Sequence, residues 1–213
     1  MDIYRLADFY CALPAFSHSL DSALHRSPIF TESIRRNSKS LLRIAKKLHH
    51  PVLFRECLIY QVAEIECFHK RESWISKFDD DKELKLSFMM ALTRVRSLQD
   101  YIDQSIISSA EEVPSFRNFL TERGEVMWRE GSYDAAGYRT LLNRLQDRNQ
   151  EHMVGLALLL EWLPKLLTSN VVLDRSGARV GDIGPDGDDD DESFFCAQIR
   201  DADLPWDQGS IDW

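Results

Sequence analysis

NSKSLLRIAKKLHHPVLFRECLIY, residues 37–60, contains two apolar patterns that meet at a proline. The apolar residues of the first pattern lie on one face of a helix: Leu41, Ile44 and Leu48. Those of the second pattern do the same and continue past the end of the stretch: Phe54, Leu58, Val62 and Ile65. Asn37 is a suitable cap for the first helix, and Pro51 is suited to the first position of the second. The stretch therefore predicts two consecutive amphipathic helices.

The longest periodic element of the chain begins after the fragment KFDDDK, residues 77–82. Its apolar residues keep one helical face over about 25 residues, or roughly 38 Å at the α-helical rise. They are Leu84, Phe88, Ala91, Leu92, Val95, Leu98, Ile102 and Ile106. We expect this helix to be central, because further apolar residues widen its stripe.

Helical periodicity continues along most of the chain and predicts an all-α, irregular bundle of about eight helices. The exception is VVLDRSGARVGDI, residues 171–183, where two short β-favouring runs flank a turn at Gly177 and predict a small hairpin. An acidic linker and an extended tail follow. The predicted segments are residues 1–80, residues 81–170 sharing the same core, residues 171–192 with the hairpin and linker, and residues 193–213 with the terminal peptide.

The charge is distributed unevenly over the 213 residues, which sum to −9. From Val171 onward there are twelve acidic and three basic residues, so subtraction from the totals of 35 and 26 leaves 23 of each in residues 1–170. A neutral body argues against nucleic acid as a partner, because phosphate binding needs a basic surface. If the chain did bind nucleic acid, the candidate basic patch would be Arg43, Lys46 and Lys47.

Four widely spaced cysteines without a CxxC pair, and no signal peptide, predict free thiols and a cytoplasmic or nuclear protein. The most apolar run, MVGLALLLEWLPKLL at residues 153–167, contains Glu161 and Lys165. It is also shorter than the ~20 residues that a membrane span needs. We therefore expect no membrane partner.

No nucleophile elbow, phosphate loop, dinucleotide fingerprint or zinc-protease motif occurs, so we expect no catalysis and no cofactor. Residues 182–193 resemble a calcium loop only in part, because the twelfth position is Ser193 rather than Glu. We expect no metal site. The alternative is a small helical enzyme with a site near Glu151, His152 and Glu161.

Arg35-Arg36-Asn37-Ser38 is similar to a target of basophilic kinases. A phosphate on Ser38 would lie near the predicted helix start, where negative charge is favoured. The alternative is that Asn37 simply caps the predicted helix, which explains the sequence at this position without any phosphorylation.

The chain ends with FFCAQIRDADLPWDQGSIDW, residues 194–213, directly after the acidic run. This many exposed aromatic side chains would be costly in water, because each buries roughly 150–250 Å² when it packs. Either the peptide docks on the helical body, or it binds another protein as a linear motif. The candidate contact residues are Phe194, Phe195, Ile199, Leu204, Trp206 and Trp213.

Two regions resemble fungal BTB/POZ domain-containing proteins, in the part C-terminal to the BTB sheet. RLADFYCALPAFSHSLDSALHRSPIF (5–30) with residues 37–60 resembles the closing BTB helices and a BACK-like extension, which would place residues 1–80 there. CAQIRDADLPWDQGSIDW (196–213) is similar to the tryptophan-containing C-terminal segment of those proteins. By this resemblance the chain lacks most of the BTB domain.

The resemblance implies a non-catalytic protein-interaction module, an adaptor or scaffold. It also implies a link to cullin-type ubiquitin ligase assembly, because many BTB proteins deliver substrates to those ligases. The expected partners are therefore other proteins, with a cullin-type scaffold among them.

Overall fold

The computed structural model describes most of the helical regions of the chain. The described residues are Arg5, Ala7, Phe9 and residues 11–26, 29–68, 78–121, 135–147, 156–173 and 195–207.

Seven α-helices and no strand occur within these described residues, which confirms the all-α prediction. The helices are α1 (Leu13–Arg26), α2 (Ile29–Lys47), α3 (Pro51–Phe68), α4 (Lys82–Glu112), α5 (Pro114–Thr121), α6 (Ala135–Asp147) and α7 (Leu156–Leu166). A single 3₁₀ turn, Asp201–Asp203, follows in the C-terminal segment.

The predicted hairpin falls almost wholly on residues outside the described ranges. Residues 171–173 are described and are not in a strand, whereas the turn at Gly177 and the calcium-like residues 182–193 lie outside.

The chain divides into two compact units, and the first is discontinuous in sequence. The first unit comprises Met1–Leu92, Asn170–Gly177 and Ala197–Trp213, and the second comprises Thr93–Ser169 and Ala178–Cys196. The division runs through α4. The described C-terminal segment is likewise shared, since residues 195–196 belong to the second unit and residues 197–207 to the first.

The junction between α2 and α3 is a tight turn at His49-His50. His49 adopts a positive φ of 44°, a backbone region that non-glycine residues occupy rarely. Nδ1 of the buried His50 accepts the Leu53 N–H at 3.2 Å, so this imidazole caps α3. The helix begins at Pro51, as the sequence predicted.

The predicted cap at Asn37 is wrong, because α2 runs without a break from Ile29 to Lys47. Asn37 lies in the middle of this helix, and its Nδ2 donates to the Ser33 carbonyl oxygen one turn earlier at 2.9 Å. That bond satisfies the side chain without ending the helix.

Residues 78–81 form the turn that precedes α4. Asp81 Oδ1 accepts the Leu84 N–H at 3.0 Å and the Lys46 ammonium at 2.6 Å, so one carboxylate both caps α4 and binds α2. The Phe78 and Phe88 rings pack at a centroid distance of 5.4 Å beneath the turn. The predicted long helix is confirmed and extends over 31 residues. Its predicted central position stays a prediction.

Buried aliphatic side chains of α2, α3 and the first part of α4 form the core of the first unit. In the second unit, α6 and α7 are in contact, and both contribute buried leucines to the core: Leu141, Leu145, Leu159 and Leu163. The buried Tyr138 donates its hydroxyl hydrogen to Asp103, whose pKa is raised by burial, although this hydrogen bond opposes the shift.

We expect Asp81→Ala to lower the free energy of unfolding by about 1–2 kcal/mol, because it removes an N-cap and an ion-pair partner. Partial burial raises the pKa of Asp81, but the hydrogen bonds from Lys46 and Leu84 lower it by more. The pKa therefore lies below 3.8. The charged form therefore stabilises the fold above pH 3.8, and this contribution is lost as the pH falls through the lower folded value.

Urea denaturation of the wild type and of Asp81→Ala, at pH 7 and at pH 3, measures this effect. The difference between their free energies of unfolding should be smaller at pH 3. Asp79→Ala is the matched control, because Asp79 forms an exposed ion pair with Lys85 at 2.6 Å. The control should change stability by less than about 0.5 kcal/mol. Equal losses in the two variants would contradict the capping role.

Candidate peptide site on the first unit

The C-terminal segment folds into a compact turn of its own. The backbone N–H of Arg200 donates to Asp203 Oδ2 at 2.6 Å, and the N–H of Leu204 donates to the Asp201 carbonyl oxygen at 3.2 Å. Asp203 is buried, so its carboxylate serves the turn. The turn fixes the directions in which Asp201, Leu204 and Trp206 project.

Polar side chains of α3 and α4 bind this turn. The Arg55 guanidinium pairs with the Asp201 carboxylate, and Ser87 Oγ donates to the Asp203 carbonyl oxygen at 2.8 Å. The Asp201 side chain is 73% exposed, so the ion pair is screened by water and contributes little energy. The buried Ser87 contact fixes the register of the segment.

Trp206 packs against the α2–α3 junction. Its ring stacks on the His49 imidazole with a centroid distance of 5.2 Å and an interplanar angle of 6°. It also meets the Phe54 ring edge-on, at 5.1 Å and 83°. Contacts of these two kinds contribute about 0.5–1.5 kcal/mol each beyond area burial. Burial lowers the pKa of His49 below 6.5, so the imidazole in this stack is mostly neutral at pH 7.

Glu56, the neighbour of Arg55 on α3, binds a second returning stretch of chain. Its two carboxylate oxygens accept the N–H groups of Val172 at 3.0 Å and Leu173 at 3.2 Å. Glu56 is 1% exposed, so these amide donors replace the water that a carboxylate requires. Adjacent residues of one helix therefore hold both C-terminal stretches of the first unit.

The predicted tail residues occupy different places. Ile199 and Leu204 are buried in the first unit, and Trp206 is half-buried there. Phe195 is buried in the second unit, where its ring packs against the Tyr138 ring with a centroid distance of 5.8 Å. Phe194 and Trp213 lie outside the described residues, and the role proposed for the set in binding a partner stays a prediction.

The residues that receive the tail were not predicted from the sequence, namely His49, Arg55, Glu56 and Ser87. A signal was present, because Arg55 and Glu56 interrupt an otherwise apolar helical pattern. Charged residues on a buried helix need partners. The sequence pattern did not identify those partners, which lie more than a hundred residues away.

Glu151 and His152 of the enzyme alternative lie outside the described residues. Glu161 is exposed and accepts a hydrogen bond from the Lys165 ammonium at 2.8 Å. That ammonium lies 3.8 Å from the centre of the Trp162 ring.

Burial raises the pKa of the Cys57 thiol, and the nearby Glu56 charge raises it further. Cys57 is therefore a core residue and not an activated nucleophile.

The described part of the chain contains no group of three or more His, Cys, Asp or Glu residues that could hold a metal ion. Within the same ranges, no helix has both the length and the apolar character needed to cross a bilayer.

Two of the three residues of the candidate basic patch, Arg43 and Lys46, are paired with acidic residues of the turn before α4 and of the first turn of α4. Arg43 binds both oxygens of Asp80, at 2.7 and 2.8 Å, and Lys46 binds Asp81 and Glu83. These carboxylates neutralise the cations that a phosphate backbone would need.

The proposed phosphorylation of Ser38 is contradicted by its position. Ser38 is 4% exposed, and its hydroxyl oxygen accepts the Gln61 Nε2 hydrogen at 2.8 Å. Ser38 also lies within α2, far from a helix N-terminus. A kinase could not reach this hydroxyl in the folded chain.

No protein-family model matches the chain, and no curated protein or solved structure matches it significantly. The resemblance to BTB/POZ proteins therefore stays a prediction.

We expect Glu56→Gln to lower the free energy of unfolding by about 2–3 kcal/mol. The new amide oxygen can accept an N–H, but the new NH₂ group would face the other donor. Urea denaturation at pH 7 measures the loss.

Glu83→Gln is the matched control, because it makes the same substitution at a carboxylate that pairs with Lys46 and is 68% exposed. This control should change stability by less than about 0.5 kcal/mol. The binding role of Glu56 would be contradicted if its variant were as stable as the control.

Proposed function

We propose that the chain is a non-catalytic protein-interaction module, an adaptor or scaffold. The observation that carries this proposal is the use of polar side chains at α3. Arg55 and Glu56 bind peptide segments through a carboxylate and through backbone N–H groups. Their chemistry is that of peptide recognition, in which side chains bind an extended chain.

Buried polar groups elsewhere in the first unit support the same proposal. Gln61 binds Ser38, His50 caps α3, and Ser87 binds the tail backbone. Each of these bonds fixes chain geometry. An enzyme site needs titratable groups directed at a substrate, with pKa values suited to proton transfer.

The resemblance to BTB/POZ proteins extends the proposal to a cullin-type scaffold as a partner and to a cytoplasmic or nuclear location. This extension rests on residues 5–60 and 196–213, which carry the resemblance. Recognition would occur by surface complementarity, because the body of the chain has no net charge to steer a polyanion.

Affinity capture with the chain of 213 residues, followed by reconstitution from purified components, tests the proposal. We expect a defined protein to bind the purified chain at fixed stoichiometry, as measured by calorimetry. A purified cullin is the first candidate to add.

The enzyme alternative is tested in parallel with Glu161→Gln and Lys165→Gln. Both variants break the same exposed ion pair, but only the first removes the candidate catalytic carboxylate. The adaptor proposal expects identical partner binding by both variants. Turnover of a small metabolite that disappears in Glu161→Gln and persists in Lys165→Gln would overturn it.

A further inference from the structure

The surface that receives residues 201–206 recognises individual features of the peptide. We call this surface the tail site and define it by His49, Phe54, Arg55 and Ser87. Arg55 binds the carboxylate of Asp201, and the two rings contact Trp206. Ser87 binds a main-chain oxygen that any peptide offers. The site therefore selects an acid and a tryptophan at a fixed spacing.

The bound segment carries its own conformation. The Asp203 carboxylate and the Asp201 carbonyl oxygen close the turn by bonds within residues 200–204. Pro205 restricts the backbone next to Trp206. A separate peptide with this sequence could form the same turn, because the turn needs no strand pairing with the body.

The two ends of the segment differ in exposure. Asp207 is exposed after Trp206, whereas Ala197 and Ile199 are buried before the turn. A separate peptide would therefore replace residues 197–206 together, and its chain could continue into solvent after the position of Asp207.

From these observations we propose that the tail site also binds an acidic, tryptophan-containing segment of a separate protein, of the pattern Asp-x-Asp-Leu-Pro-Trp. This inference deepens the proposed adaptor function and rests on it. The chain's own tail is then an intramolecular competitor. A tethered segment acts at an effective concentration in the millimolar range, so it lowers the apparent affinity of the partner.

The charge of the site supports an acidic occupant. Arg55 is the cation of the tail site, and its partner Asp201 is largely exposed to solvent. A carboxylate that arrives from solvent can replace this one with little loss of hydration. The aromatic contacts then provide most of the selectivity.

The experiment measures binding of a fluorescent peptide of residues 197–207, AQIRDADLPWD, to the chain of 213 residues. Trp206→Ala weakens the cis tail while leaving the tail site intact. We expect this variant to bind the peptide at least about tenfold more tightly than the wild type, since two ring contacts of the competitor are lost. Fluorescence anisotropy gives both affinities.

Two controls locate the binding. Adding His49→Asn to Trp206→Ala removes the stacking ring, and Asn tolerates the positive φ at this position. Peptide affinity should then fall about fivefold. A peptide with alanine in place of its tryptophan should bind more weakly by at least the same factor. If Trp206→Ala does not fold, Asp201→Asn changes an exposed group instead, and it should tighten peptide binding about threefold.

Absence of peptide binding in a folded tail variant would overturn the proposal. An unchanged peptide affinity after the addition of His49→Asn would overturn it as well. A wild-type dimer that the peptide dissociates would show that a second copy occupies the site, which would also overturn it. These results concern only the tail site. Loss of the adaptor function would appear separately, as metabolite turnover or as failure of partner reconstitution.

Discussion

The buried carboxylate of Glu56 is the constraint on which the first unit depends. A charge that is 1% exposed needs donors in place of water, and the N–H groups of Val172 and Leu173 supply them. The helix that carries this charge therefore requires a stretch of chain that follows it by more than a hundred residues. Arg55, one residue earlier, adds the ion pair with the C-terminal turn.

This arrangement makes α3 the meeting point of separate parts of the sequence. Its apolar residues pack in the core, and its polar residues hold the returning chain. The contacts of the tail differ in strength. The ion pair of Asp201 is exposed and weak, whereas Leu204 is buried. Release of the tail would therefore expose the buried side chains of Ile199 and Leu204, whereas the Asp201 ion pair alone is easily exchanged.

Local patterns predicted the helices well because each signal lies within a few residues. Pro51 begins α3 as expected, and the apolar stripe from Leu84 to Ile106 lies in one helix, α4. Asn37 misled the prediction because its side chain found an acceptor within a continuing helix. Burial of Ser38 depends on Gln61 and could not be read from the kinase-like pattern around it. The tail-site residues were missed because their partners are distant in sequence, although the charges at Arg55 and Glu56 were visible.

Hydrogen exchange of the chain of 213 residues tests whether α3 holds the C-terminal stretches. We expect the amides of Val172, Leu173 and Leu204 to exchange at least about a hundredfold more slowly than in free peptides. Exchange of these three amides at the rate of an unfolded chain, while the amides of α3 stay protected, would contradict this expectation.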